Sequence, residues 1–536
     1  MATAIKNAGR VEPAPRQSQW AVVAREFGKR RLAVASSFVI LTLITISIFA
    51  PLLANDRPIY FVGVNRFEFR EASKNARGLV GQLASQKESA PETNAALVRS
   101  LRLQFELMFA ELSSESSGKL RAIQERIEQS LVDRDPPRRQ QQLRELQTEL
   151  RPLLNSLEPL LLVRTHWPVF RSLLWSDLGF MAANLLLLSS PLWSRWVAPR
   201  HADSRPRRTI LVLLLIPMFC AVAWWWLVPY RVDRANYKSG VLAADDVDRK
   251  AGVVFQSVMW PPIAFAIDEY DLAGKSAPPA WYPQAWRPKP VSAGNVPTSE
   301  TVRKLASRWS TPHWMGTDES GRDVLCRMIW GGRVSLSVGF VAVAIYVSIG
   351  VVVGALAGYF RGVCDLILSR IIEVVICFPS FFLILTIVVM VGPGLFNIMV
   401  VIGLTGWTGI ARLVRGEFLR LVDQEFVLAG KALGYSPLRL IFRHVLPNAM
   451  APVLVSATFG IAGAILTESA LSFLGLGIQA PIPSWGSLLF DGRSVMDHAP
   501  WLIHFPGLAI FITITSYNLI GEALRDAADP RLRGSR

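Results

Sequence analysis

Apolar residues gather into eight long runs, at about 32–53, 173–193, 210–228, 334–357, 371–391, 396–413, 449–474 and 501–523. A helix rising 1.5 Å per residue crosses about 30 Å of hydrocarbon in roughly 20 residues, so each run reads as a membrane span. The run at 173–193 is weakened by Asp177 and Asn184. Basic residues then set the topology. Arg25, Lys29, Arg30 and Arg31 precede the first run and place the N-terminus inside. Arg195, Arg200, Arg205, Arg207 and Arg208, against the single acid Asp203, mark the loop between the second and third runs as inner. These two runs therefore form a hairpin that returns the chain to the outer side. Arg361 and Arg370 flank one later loop, and Arg412, Arg415, Arg420, Arg439 and Arg443 crowd another; counting spans puts both inside. Charge and count agree on eight spans with both termini inside.

The polar stretches have patterns of their own. Between Ala95 and Leu160, leucines recur at helical spacing, with Leu143, Leu146, Leu150, Leu153, Leu157 and Leu160 alternating steps of three and four. Ser113 to Gly118 and Asp135-Pro136-Pro137 interrupt the pattern, which predicts about three helices folded back on one another. Residues 230–312, with WPPIAFAIDEY and PPAWYPQAWRPKP, read as an extended outer loop. The chain divides into an inner tail (1–31), a first span (32–53), an outer region with inserted helices (54–172), an inserted hairpin (173–229), an outer loop (230–333), a core of spans (334–523) containing an inner loop (414–448), and an inner tail (524–536).

Composition agrees with this pattern: 51% of residues are hydrophobic and the mean hydropathy is positive. A net charge of +16 could serve nucleic acid, but the arginines gather beside apolar runs as inner flanks do, and no nucleic-acid role is expected. Cys220, Cys326, Cys364 and Cys377 have neither paired metal-ligand spacing nor a bridge framework, so they read as packing residues. The first apolar run follows a basic stretch and lacks a small-x-small cleavage site, so it is expected to remain as an anchor.

Two stretches carry candidate function. Glu417 to Asn448, EFLRLVDQEFVLAGKALGYSPLRLIFRHVLPN, is charged and amphipathic between two apolar runs. Its first part predicts a helix over 424–433, with Phe426, Val427, Ala429, Gly430 and Leu433 on neighbouring faces and Asp423, Glu425 and Lys431 polar. Gly434 ends that helix as a left-handed C-cap. Ser436-Pro437 starts a second, with Leu438, Leu440, Ile441 and Val445 opposite Arg439, Arg443 and His444, and Pro447 closes it. Such a helix pair is apolar enough to plug into a groove and basic enough to face the inner side.

The second stretch is HWMGTDESGRDVLCRMIWGG, His313 to Gly332. Asp318, Arg322 and Asp323 can pair and cap locally, while Gly316 and Gly321 allow tight turns. No nucleophile or metal-ligand spacing accompanies them, so neither a catalytic cluster nor a metal site is expected. Glu373 and Glu468 lie in apolar runs near span ends, where local hydrogen bonding is their expected role. Gly274-Lys275-Ser276 is not a phosphate loop, because Glu269 stands at its first glycine position.

The inner stretch resembles the "EAA" coupling loop of ABC importer permeases, with Leu428-Ala429-Gly430 at the EAA positions, then Gly434, and Leu446-Pro447 at the end. Leu428 and Gly430 depart from the literal letters, but ALGYSPLRLIFRHVLPNAMAP is similar throughout to the dipeptide, oligopeptide and nickel permease family. His313 with its GTD and GRD resembles that family's entry motif, and LLANDRP after the first run looks like the microcin C and oligopeptide branch. The resemblance covers about 20–58 and 261–533 and leaves 61–260 outside.

It implies an all-α polytopic membrane protein with the type I ABC importer permease fold: six family helices plus the inserted hairpin. It also implies one subunit of a heteromeric importer in the bacterial cytoplasmic (inner) membrane, moving a peptide-type solute by alternating access. The implied partners are membrane lipid, a second related permease, two ABC ATPase subunits and a periplasmic or lipid-anchored solute-binding protein. ATP and Mg would sit on the ATPases, with no cofactor and no catalysis on this chain. Glu425, Leu428, Ala429, Gly430, Gly434, Pro437, Arg439, His444, Leu446 and Pro447 would form the coupling surface. Two other readings stay open: a membrane-anchored scaffold or sensor, and a proton-coupled carrier that would need Glu373 or Glu468.

Overall fold

The computed structural model describes residues 19–85, 91–132, 135–197, 205–227, 237–238, 253–270, 275–281 and 312–528. The expectations for residues 1–18, for Arg200 and Asp203 in the hairpin loop, for most of the proline-rich stretch up to residue 311, and for 529–536 lie outside these. The first part of the chain runs α1 (Gln19–Gly28), α2 (Arg31–Ile48), α3 (Ala50–Leu53), β1 (Tyr60–Asn65), α4 (Arg66–Ser85), α5 (Pro91–Phe109), α6 (Ser114–Val132), α7 (Pro136–Leu157), β2 (Arg164–His166), α8 (Pro168–Ser172), α9 (Trp175–Val197), α10 (Arg205–Leu227) and β3 (Val253–Met259). The second runs α11 (Val324–Phe360), α12 (Gly362–Ile376), α13 (Ser380–Val391), α14 (Leu395–Leu421), α15 (Glu425–Ala432), α16 (Pro437–Leu440), α17 (Leu446–Phe473), α18 (Trp485–Gly492) and α19 (Trp501–Ala528). These elements form two compact units, one of Met1–Ala50, Ile267–Pro288 and His313–Arg536, the other of Pro51–Ala266 and Lys289–Pro312.

The first unit is the helical core. Glycines at 350, 354 and 358 along α11 let α14 approach closely: a Cβ at Gly354 would stand 2.5 Å from the Ala411 carbonyl oxygen, and one at Gly358 would stand 2.5 Å from Phe418 Cβ. The run expected as one span at 371–391 is instead two helices, α12 and α13, bent by 80°. The break falls at Pro379, which has no N–H to donate and whose ring disfavours a helical residue before it. Near the ends of this unit, Arg30 before α2 pairs with Asp526 in α19 at 2.5 Å. Among the described residues, six helices are long and apolar enough to span a membrane, or seven if the bent pair counts as one. Seven of the eight expected runs thus meet that standard when the bent pair is counted as one. Of the hairpin, α10 meets that standard and α9 does not, since Asp177, Asn184 and the Ser-Ser-Pro stretch at 189–191 dilute its apolar run.

The second unit has a helical core and a small sheet. The three helices expected between residues 95 and 160 are α5, α6 and α7, and residues 66–85 make a fourth ahead of them. The additional one, α4, buries Ala72, Ala76 and Ala84 beside Phe69, Val80 and Leu83, a face too alanine-rich for a leucine-spacing search. Leu143, Leu146, Leu150 and Leu157 are buried as their spacing predicts, but Leu154 takes the seat expected for Leu153, and Leu160 is exposed in the turn after α7. Part of the stretch expected as an extended loop is a strand. β3 pairs antiparallel with β1, whose other edge pairs with β2. VVFQSVM has the β-branched and aromatic make-up that suits a pleated surface, and β1 alternates buried and half-buried positions as a one-sided strand does. Here burial pushes the Glu111 carboxyl up to about 7 and the His166 imidazole down to about 4.

Candidate functional site

Two clusters flank α11, at about 1.5 Å per residue roughly 55 Å apart along its axis. The 417–448 loop leaves the core at the end of α14. Gly434 has φ +76°, its N–H donates to Lys431 O at 3.0 Å, and the Tyr435 N–H donates to Gly430 O at 3.1 Å. This paired arrangement is a Schellman cap, so Gly434 does end α15 as its sequence position predicts. Ser436 then caps α16, its hydroxyl accepting from the Arg439 N–H at 3.4 Å, with Pro437 in the first turn. Pro447 does not close this helix. A π-turn over Ile441–Val445 leads directly into α17, and Pro447 lies in its first turn, where the missing N–H costs nothing.

The loop's faces also differ from the spacing argument. Val427, Gly430, Leu440, Ile441 and Val445 point inward. A Cβ on Gly430 would stand 2.8 Å from Leu440 Cδ2, so the departure from the literal EAA alanine lets the two short helices close on each other. Phe426, Ala429 and Leu433, expected to share that apolar side, are exposed, as are Glu425, Leu428, Pro447 and Phe442. Leu433 is 71% exposed and Leu438 66%, although Leu438 was expected on the packed side of the second helix. Leu446 is half-buried. Arg439 lies 4.1 Å over the Tyr435 ring, which stacks on His444 at 5.6 Å. His444 Nε2 is buried without a hydrogen-bond partner.

Neighbouring helix ends hold the loop. Arg361 bonds Asp423 at 2.6 Å and the Leu419 carbonyl oxygen at 3.1 Å, and the hydrogen bond from Arg361 holds the Asp423 carboxyl below its ordinary range. Lys431 lies over the Tyr359 ring near the end of α11. Beside α15 is a cleft of about 820 Å³, lined among others by Glu417, Arg420, Phe426, Asn448 and Arg525.

The motif before α11 is built the opposite way. Asp323 is the N-cap of α11, its Oδ1 accepting from the Cys326 N–H at 2.7 Å and its Oδ2 meeting His313 Nδ1 at 2.7 Å. Asp318 Oδ1 accepts from the backbone N–H groups of Ser320 and Arg322, both at 2.9 Å; its Oδ2 accepts from Arg322 Nε at 2.7 Å and Arg327 Nη1 at 2.6 Å. Gly316 and Gly321 both have φ +78°. At Gly316 a side chain is doubly excluded, because a Cβ would stand 2.6 Å from the Ala277 carbonyl oxygen. The local pairing and capping expected of Asp318, Arg322 and Asp323 and the turns expected at Gly316 and Gly321 are present, and His313 joins them through Asp323.

Sequence reasoning missed two members. Arg327, 2% exposed, and Arg322 both reach Asp491 Oδ2, at 3.0 and 3.2 Å. An arginine within the otherwise apolar VLCRMIW segment, 324–330, was a usable signal for Arg327. Nothing local pointed to Asp491. The Lys275-Ser276 stretch lies against the motif, with Ser276 N–H donating to Asp318 O and Ala277 N–H to the Thr317 hydroxyl. Glu468 is buried and accepts from the Ser335 hydroxyl at 3.1 Å and the Ser472 hydroxyl at 2.8 Å, while Glu373 pairs with Arg370 at 2.6 Å. Both acids are engaged locally.

Comparison with known proteins places these features. Residues 350–534 match the family described as "Binding-protein-dependent transport system inner membrane component", and residues 18–63 match "N-terminal TM domain of oligopeptide transport permease C". A dipeptide transport system permease protein of Alkalihalophilus pseudofirmus is 44% identical over 224 residues, 42% of this chain and 74% of that protein. An oligopeptide transport system permease protein of Bacillus subtilis is 42% identical over 42% of this chain and 73% of its own. A glutathione transport system permease protein of Pectobacterium atrosepticum is 40% identical over 42% of this chain and 74% of its own. Among solved structures, a chain of the inward-facing MetNI methionine ABC transporter aligns with 37% of this chain and 97% of itself, at 18% identity and a TM-score of 0.31.

Proposed function

This chain belongs to the family of binding-protein-dependent ABC importer permeases that includes the dipeptide and oligopeptide subunits, and from that premise we propose that its inner loop couples a partner ATPase to movement of the core helices. The chain is a multi-pass inner-membrane permease subunit that works with ATPase subunits. The exposed apolar ridge of Leu428, Leu433, Leu438 and Phe442 on a tightly capped helix pair carries the proposal. Such a ridge is costly in water and fits a groove on another chain.

Two ATPase subunits holding ATP and Mg, a second related permease, and a periplasmic or lipid-anchored binding protein complete the proposed assembly. The solute is of the peptide class, as in the relatives' names. Both termini face the cytoplasm in this reading, which the pairing of Arg30 with Asp526 supports by holding the two ends together. On ATP-driven closure, α15 and α16 move with the ATPases, and α14 and α17, joined directly to them, tilt to alternate access.

The test is a pull-down from detergent-solubilised membranes with a tag on this chain. An ATPase and a second permease are expected to accompany it and to be lost when 425–447 is scrambled. Recovery of the chain alone, or only with outer-face proteins, would overturn the coupling assignment in favour of a scaffold.

A further inference from the structure

The second unit brings together three side chains that the transport reading leaves unused. His166 ends β2, Glu111 follows α5, and Glu68 lies in the first turn of α4. Their ligand-type atoms all lie within 4.8 Å of one another. The site is deep: His166 is 3% exposed and Glu111 5%. His166 Nε2 stands 3.7 Å from Glu111 Oε2, too far for a hydrogen bond. Glu111 Oε2 and both ring nitrogens of His166 are buried with no hydrogen-bond partner. Native interiors rarely leave three such atoms orphaned in one place, and an unplaced ion is one of the few physical reasons for doing so.

The surroundings hold these groups in position. The His166 ring stacks on Phe61 at 4.7 Å, its register partner across β1 and β2. The Glu111 carbonyl oxygen accepts from the Leu162 N–H at 3.0 Å, and the Asn65 side chain accepts from the Glu68 N–H at 3.3 Å. Arg171 holds Glu68 through Nη1 at 3.2 Å, and Arg164 also acts electrostatically on the cluster. These arginines reduce the negative charge that an ion would meet, so a hard, oxygen-seeking cation gains little here.

We propose that Glu68, Glu111 and His166 bind a divalent transition cation of the zinc type. One imidazole and two carboxylates suit a borderline ion that accepts four ligands, with water as the fourth. Calcium and magnesium want six or more oxygens, and copper(I) wants sulfur. The bound ion gives the orphaned lone pairs a partner and ties β2 of the sheet to α4 and the end of α5. It is a structural pin for the inserted unit.

The experiment uses the full-length chain purified with its complex, its tag removed, stripped with EDTA and dialysed against zinc chloride. About one bound zinc per chain by elemental analysis is expected, with a higher melting temperature than the stripped protein; cobalt(II) in its place should give a visible d–d absorption band. Because the chain has six histidines, His166→Gln and Glu111→Gln are the controls and should lose the bound zinc. Glu68→Gln, at a half-exposed position, should keep the fold and weaken affinity about 10-fold or more. The proposal is overturned if the stripped native chain takes up no zinc, if these variants bind as much as the native chain, or if calcium or magnesium binds instead.

Discussion

The two clusters at the ends of α11 are built inside out relative to one another. The 417–448 loop leaves Leu428, Leu433, Leu438 and Phe442 in the open and keeps its ion pairs at the margins. The motif before α11 buries Asp318, Arg322, Asp323 and Arg327 and satisfies most of their polar atoms within the chain. Under the proposed coupling role one end is completed by another molecule, and the other is completed within the chain. The contrast is between an exposed apolar surface and a buried, self-paired anchor, and it turns on where desolvation has already been met.

Breaking the anchor should have the largest effect. Asp318→Ala leaves the buried Arg327 guanidinium with only the half-exposed Asp491, and loss of one member of a buried pair costs about 3–5 kcal/mol; a sharply lower yield and melting temperature by fluorescence-detected size exclusion are expected. A variant as stable as the native chain would remove the distinction between the two ends. Next is Gly434→Val. A β-branched residue at φ +76° is strained by about 1–3 kcal/mol, so the cap should shift, with uptake falling at least tenfold in proteoliposomes while membrane insertion and ATP hydrolysis persist. Normal transport would remove Gly434 from the coupling turn.

Leu433→Asp sharpens the comparison from the other side. At an exposed position its effect on the melting temperature should correspond to about 0.5 kcal/mol or less, yet the ATPase should no longer copurify. Retained ATPase would place the contact elsewhere on the loop. The smallest effect belongs to Arg361→Ala. Arg361 depresses the folded-state pKa of Asp423, so the pair's contribution is present above the ordinary carboxylate pKa and is lost as pH falls through the lower folded value. Removing an exposed pair of this kind should change thermal stability only marginally, and what remains of its pH dependence should move up to the ordinary carboxylate range. A large loss of stability would mean that Arg361 anchors the loop through the Leu419 carbonyl instead.

Features legible in the sequence were those settled within a turn or two of chain. The apolar runs are properties of consecutive residues, and so is the Gly434 cap, because φ +76° is open to glycine and costly for most other residues. The capping by Asp323 and the Asp318–Arg322 pair lie three and four residues apart, which one turn brings together. Departures came where distant segments competed for the same contacts. The inward face of α15 was decided by Leu440 packing against Gly430, and the leucine seat at 154 by the neighbouring helices. The third strand came from β3 reaching back nearly 200 residues to β1.

Asp491 meets Arg327 across 164 positions, and Glu68, Glu111 and His166 converge from three separate elements. No local pattern announces either group. Sequence by itself determined most of the helical segments, where the Gly434 turn lies and how the motif caps α11, since backbone conformation and short-range hydrogen bonds are set by adjacent residues. Only the tertiary structure decided which faces are covered and which charges meet, because burial belongs to the packed whole and depends on what lies against each face.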